Sequence, residues 1–328
     1  MQDLAATMPA THVASPPDRM RLIVPAFLFA ALALAPLLGL VGAERYVLAL
    51  FTRCVIFAIA ALGLDLALGC GGLVSFGHAA FIGIGGYAAG ILTASGIDDA
   101  FVLLIVALAA SGVFALATGA ISLKTRGVHF IMITLAFGQM AYFVANSLKA
   151  YGGDDGLTLA NRATVFGRDL LADNRSFYYL SLALLLGVYV FARAVVRSRF
   201  GRVLRGAKEN ETRMQAIGFN PYPFRLITYA ISGMMAGLAG FLLAEQSEFV
   251  SPAFMTWQRS GDLIIMVMLG GMASLDGAIL GAVFVVLTEE LLSGFTEHWR
   301  VIFGPFLILV VLFARGGLLG LLTGRRHG

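Results

Sequence analysis

The side chains able to do chemistry are few in this chain, and their spacing points away from catalysis. The five histidines, His12, His78, His129, His298 and His327, stand apart from one another. None forms H-E-x-x-H or another metal-ligand spacing, so no metal site is expected. No G-x-S-x-G turn presents a nucleophilic serine. No G-x-x-x-x-G-K-[ST] loop is present to cradle a nucleotide's phosphates, so ATP hydrolysis is not expected on this chain. The run "GIGGYA", Gly83 to Ala88, matches a dinucleotide fingerprint only on paper, because it lies in an apolar segment with no strand before it. Close helix packing explains those glycines better, and with them the pairs Gly86/Gly90, Gly233/Gly237 and Gly277/Gly281. Cys54 and Cys70 lie in or beside apolar runs and read as small buried residues. Neither an enzyme nor a bound cofactor is expected.

What remains is a short set of ionisable groups in apolar surroundings: Arg53, Asp65 and His78, with Asp262, Glu289 and Glu290 near the ends of apolar runs. A charge in hydrocarbon is costly and is read first as functional. Asp65 and Asp262 fall about one turn from an expected interface, where snorkelling or a local pair would satisfy them. His78 sits within "GGLVSFGHAAFIGIGGYAAG", a Gly-rich run. An interrupted helix there would leave backbone N–H groups free to meet a carboxylate near mid-membrane. The competing reading is a packed histidine bonded to a neighbour. "GGLVSFGHAAFI" (71–82) has an echo in "GGMASLDGAILG" (270–281), and two Gly-interrupted segments in corresponding halves point to a transport pathway.

The elements that hold these groups are membrane spans. Of 328 residues, 59% are apolar and 13% charged, against about 25% charged in a soluble domain. The bilayer must therefore serve as much of the solvent. Apolar stretches of spanning length fall near 22–42, 47–68, 73–94, 100–122, 128–147, 177–196, 224–244, 261–273, 277–293 and 301–321. The fold class expected is all-α and polytopic, with about ten transmembrane helices and Gly-interrupted segments. Residues 1–21 and 323–328 form tails on a single transmembrane domain, 22–322. The first span, longer than a signal-peptide core and preceded by a polar tail, reads as an uncleaved anchor.

With the N-terminus inside, the inner connections carry 15 of the 23 Lys and Arg and the outer ones seven, with Arg53 inside a span. Positive charge inside thus places both termini in the cytoplasm. The most basic connection, 198–222, joins spans six and seven. Its "GRVLRGAKENETRMQAIG" reads as one amphipathic helix, with Val203, Leu204, Ala207, Met214 and Ile217 at helical spacing and Gly218 as its stop. Composition leaves two uses open: an interfacial helix on anionic lipid, or a docking helix for a soluble partner.

Several separated blocks, in order, carry a family resemblance: "GLVSFGHAAFIGIGGYAA", "TRGVHFIMITLAFGQM", "GGDDGL", "FGRVLRGAKENETRMQAIGFN" followed by "SGMMAGLAG", and "VSPAFMTWQRSGDLIIMVMLGGMASLDGAILGA", with "EHW" and "LFARGGLLGLL" beyond. From about residue 50 to 322 the chain resembles the LivM-type permease subunits of ABC importers for branched-chain amino acids. It departs from the family pattern at His129, where an aromatic is usual, at Cys70-Gly71, and near Arg315-Gly316, where a proline is common.

The resemblance implies a bacterial inner-membrane subunit forming half of a translocation path for leucine, isoleucine and valine. Its implied partners are a LivH-type second permease, two ABC ATPase chains and an extracytoplasmic binding protein, within membrane lipid and without nucleic acid. It implies that the loop meets the ATPases through Gly201, Arg202, Arg205, Lys208, Glu209, Asn210, Ala216 and Gly218, with the three basic side chains on its rim. Candidates for the path are Ser75, Gly77, His78, Thr134, Gln139 and Gly271. The same superfamily leaves urea, amides or other small amino acids open as cargo. An ion-coupled secondary transporter is the rival class, with Asp65 its only coupling acid.

Overall fold

A computed structural model describes residues 20–36, 44–159, 162–165, 171–295, 298, 301–305, 307 and 317–323. Twelve α-helices carry this part of the chain: α1 Met20–Leu34, α2 Glu44–Asp65, α3 His78–Ala94, α4 Ala100–Ser122, α5 Val128–Ser147, α6 Asn174–Arg197, α7 Arg199–Glu209, α8 Glu211–Ala216, α9 Pro221–Ser247, α10 Trp257–Gly270, α11 Leu275–Ser293 and α12 Gly317–Thr323. Two-residue strands, Leu157–Thr158 and Phe249–Val250, pair antiparallel with Leu157 opposite Val250. About half of the expected span 301–321 and nearly all of both tails lie outside the described residues.

Among the described residues, five helices are long and apolar enough to cross a membrane: α2 with its continuation to Cys70, then α4, α5, α6 and α9. Short polar side chains set where several helices begin. Asp99 accepts from the backbone N–H groups of Phe101 and Val102 ahead of α4, and Asn220 accepts from Tyr222 with Pro221 at the first position of α9. Asp173 caps α6 in the same way, and the Ser176 backbone N–H holds its carboxyl below the usual carboxylate range.

The centre of the bundle is α9, flanked by α2, α3 and α4, while α11 and α6 pack on α2 and α10 packs on α11. Glycine allows the closest approaches. A Cβ added at Gly85 would lie 2.2 Å from the Gly237 carbonyl oxygen, and one at Gly240 would lie 1.8 Å from that of Ile82. Only hydrogen fits at such positions, so the backbones of α3 and α9 meet directly.

Helices α3 and α10 stop short of a full crossing. Helix α2 ends in a buried π-helical turn, Leu66–Cys70, and the chain then runs without helix to His78. Expected span 73–94 is thus helical only over 17 residues, which rise about 26 Å against the ~30 Å of the hydrocarbon core. His78 lies against Ser232, well within α9, so α3 starts in the interior of the bundle and not at its face. Helix α10 has 14 residues and reaches about 21 Å. It ends at Gly270, and Gly271 (φ 117°) and Ala273 (φ 62°) turn the chain into α11.

Candidate functional site

The echo between 71–82 and 270–281 becomes a meeting point in space. Asp65, at the end of α2, is fully buried, and its Oδ1 accepts a 2.8 Å hydrogen bond from the Ala273 backbone N–H. The carboxylate therefore ties the break after α2 to the break after α10. The expectation that Asp65 snorkels or pairs locally is corrected: its partner is 208 residues away and the side chain never reaches solvent. Asp262 does make a local contact, 3.9 Å from Arg259.

The basic connection reaches this junction from outside the bundle. Lys208 Nζ donates to the Gly69 carbonyl at 2.7 Å, and its methylene stem covers Gly72, whose φ of 70° only glycine adopts easily. Arg205 donates to the carbonyls of Val196 and Gly201, closing the end of α6. Arg225, on α9, reaches Glu211 at 2.8 Å and the Ala207 carbonyl, and Arg126 reaches Glu211 at 2.8 Å. Gly201 is buried so tightly that a Cβ would lie 2.4 Å from the Val196 carbonyl oxygen. The connection is thus bolted to α2, α6, α9 and the turn before α5.

Its form differs from the single helix expected. Asn210 is extended (φ −155°, ψ 99°), ending α7 and capping α8 by accepting from the Arg213 backbone N–H. An Asn side chain competes with the helical backbone in this way and favours a cap over a helix interior. Arg202, Arg205, Lys208 and Glu209 are all exposed, and Arg205 and Lys208 also donate to backbone carbonyls. Leu204 and Ala207 are buried, Ala216 and Gly218 are exposed, and Ile217 and Phe219 stand 64% and 43% exposed at the end of α8.

The path candidates fall into two groups. Ser75 Oγ lies 3.3 Å from Tyr229 Oη, Thr134 Oγ1 accepts from the Phe76 backbone N–H, and His78 Nε2 lies 3.0 Å from Ser232 Oγ. All three are buried, and Gly77 lets the start of α3 press on the Thr134 carbonyl. His78 packs edge-on to Phe81 and Tyr229, so the packed reading describes it, although its Nδ1 finds no partner among the described residues. Gln139 is half-buried and makes no hydrogen bond within the described residues, and Gly271 is half-buried in the second break.

Sequence reasoning passed over Glu211, Arg225, Ala273 and Glu245. Glu245 is buried on α9 and accepts from the Ala163 backbone N–H at 2.7 Å, pinning the connection between α5 and α6. No local spacing marks such pairs. The only signal was an acid inside or beside an apolar run. Among the described residues no cluster of three or more His, Cys, Asp or Glu could hold a metal.

A family model for the permease component of branched-chain amino acid transport systems matches residues 46–314. The chain belongs to this family. This permease is 29% identical over 82% of its length to the high-affinity branched-chain amino acid permease protein LivM of Escherichia coli, covering 68% of that protein. It is 25% identical to LivH of the same organism and 27% identical to BraD of Pseudomonas aeruginosa, in each case over 80% of its own chain and 91% of theirs. No solved structure matches it significantly. Family membership and the long apolar helices make the permease a multi-pass membrane protein, and its family is one of transport-system permease components.

Proposed function

We propose that the permease is one of two membrane subunits of an ABC importer for leucine, isoleucine and valine in a bacterial inner membrane. A LivH-type subunit completes the path, an extracytoplasmic binding protein delivers cargo, and two ATPase chains drive the cycle from the cytoplasmic side, where both termini lie. The observation that carries this reading is the α7–α8 unit. It presents Arg202, Glu209, Ile217 and Phe219 outward while four bonded groups anchor it to the bundle. An exposed apolar tip rimmed with charge suits a groove in a soluble partner better than a flat lipid surface.

In this mechanism ATP-driven closure of the ATPases displaces α7–α8 as a rigid piece. Lys208 passes the displacement to the break after α2, and Asp65 passes it on to the break after α10. Ser75, Gly77, His78, Thr134 and Gly271 shape the two breaks, and Gln139 offers a polar side chain to cargo moving along α5. The rocking of packed helices about two Gly-rich hinges alternates access.

The test is uptake in a strain lacking the gene. Leucine, isoleucine and valine uptake is lost, is restored by the full chain, and persists under a proton uncoupler while ATP is maintained. Uptake that collapses with the proton gradient at constant ATP would replace the reading with an ion-coupled carrier. Restored uptake of urea or amides alone would overturn the cargo.

A further inference from the structure

At the end of the bundle away from α7–α8, α2, α3, α9 and α10 border a half-open cavity of about 290 Å³, close to the ~300 Å³ lower bound of small-molecule pockets. Arg53 and Arg259 both line it, and each guanidinium carbon stands 5.9 Å from the centre of the Phe57 ring. Two cations therefore share one aromatic wall. Their carboxylate partners are held at arm's length: Glu289 at 3.4 Å and Glu290 at 3.8 Å from Arg53, and Asp262 at 3.9 Å from Arg259. A close charge-assisted bond measures about 2.7–2.9 Å, and Arg126 and Arg225 achieve 2.8 Å to Glu211 in this same chain. With five N–H donors on each guanidinium, these long contacts leave donor capacity for an anion.

The remaining walls are of opposite character. Ile82, Leu243 and Phe254 face the space with apolar surface. The Gln246 amide nitrogen donates to the Ala49 carbonyl at 2.7 Å. Anion donors and an apolar wall thus meet in a single small volume.

We propose that this cavity is a binding subsite for a zwitterionic α-amino acid with a branched apolar side chain. The carboxylate lies between Arg53 and Arg259, and the side chain lies against Phe57, Ile82, Leu243 and Phe254. The proposal rests on the permease reading and adds where cargo is held at this end of the bundle. An anionic lipid headgroup shares the carboxylate's attraction to arginine but has no use for the apolar wall beside it.

The experiment is binding of tritiated leucine to the purified full-length chain in phosphatidylcholine nanodiscs. Saturable binding is expected, weakened about ten-fold or more by Arg259→Gln, which removes a charged hydrogen bond, and blocked by Phe254→Trp, which fills the cavity. Both variants should melt as the wild type does. Isopentylamine, which keeps the apolar tail and amine but lacks the carboxylate, should not compete. Absence of saturable binding by the wild type, or binding by both variants as tight as the wild type's, overturns the proposal. So does displacement of leucine by phosphatidylglycerol in the nanodisc, which would make the arginines a headgroup site. Restoration of leucine uptake by the wild-type gene is scored separately, so the subsite can fail while the permease reading stands.

Discussion

Gly85 and Gly187 are both glycines within apolar helices, yet their surroundings set opposite expectations. At Gly85 an added methyl group would lie 2.2 Å from the Gly237 carbonyl oxygen and 2.7 Å from the Gly237 Cα, with backbone on both sides and nothing flexible to yield. Gly85→Ala should force α3 from α9 and destabilise by about 1–3 kcal/mol, the usual cost of overpacking. At Gly187, on an exposed face of α6, nothing lies within 4 Å of the added carbon. Gly187→Ala should leave stability unchanged or raise it by ~0.5–1 kcal/mol, because glycine is a poor helix former. Thermal melting of the two purified variants checks this, and equal shifts would show that the α3–α9 contact is looser than described. At this scale the sequence was informative about residue type and silent about partner. Small-residue pairs such as Gly233/Gly237 marked close packing. Nothing near Lys208 announced Gly69 as its acceptor 139 positions away.

The same contrast holds for the elements. The bounds of α4 and α5 agree with the apolar runs 100–122 and 128–147, because an apolar run of spanning length admits one regular structure in lipid. The two breaks were visible as Gly-rich echoes, but their convergence through Asp65 and Ala273 depends on tertiary packing that no local pattern encodes. The α7–α8 connection was legible as amphipathic and was misread as continuous, since its apolar spacing carries across Asn210 while the backbone does not. Its anchoring separates two kinds of damage. Arg202→Glu alters an exposed residue and should lower ATPase association. Lys208→Met keeps the stem over Gly72 but leaves the Gly69 carbonyl without its donor. It should preserve ATPase association and insertion while cutting leucine uptake about ten-fold or more, a loss matching the ~1–3 kcal/mol of one unsatisfied buried polar group. Co-purification and uptake, measured side by side, decide it. Loss of association in Lys208→Met would make that residue part of the contact and not of the linkage.

For the molecule as a whole, the apolar composition alone required a membrane, and the sequence holds no phosphate-binding loop. In the proposed importer ATP is hydrolysed on partner chains, and α7–α8 is the handle through which they act. Of the two cysteines, Cys54 and Cys70, both are buried, so a single exposed thiol can be added without a reactive background. Thr212 is exposed on α8. The most direct test places Cys at that position and treats intact cells with a membrane-impermeant maleimide, then opened cells with a bifunctional crosslinker. The thiol should be silent in intact cells, react once the cytoplasm is opened, and crosslink to an ATPase chain. Labelling from outside intact cells, or a position-212 thiol that reacts in opened cells but never captures an ATPase, would contradict the role assigned to α7–α8.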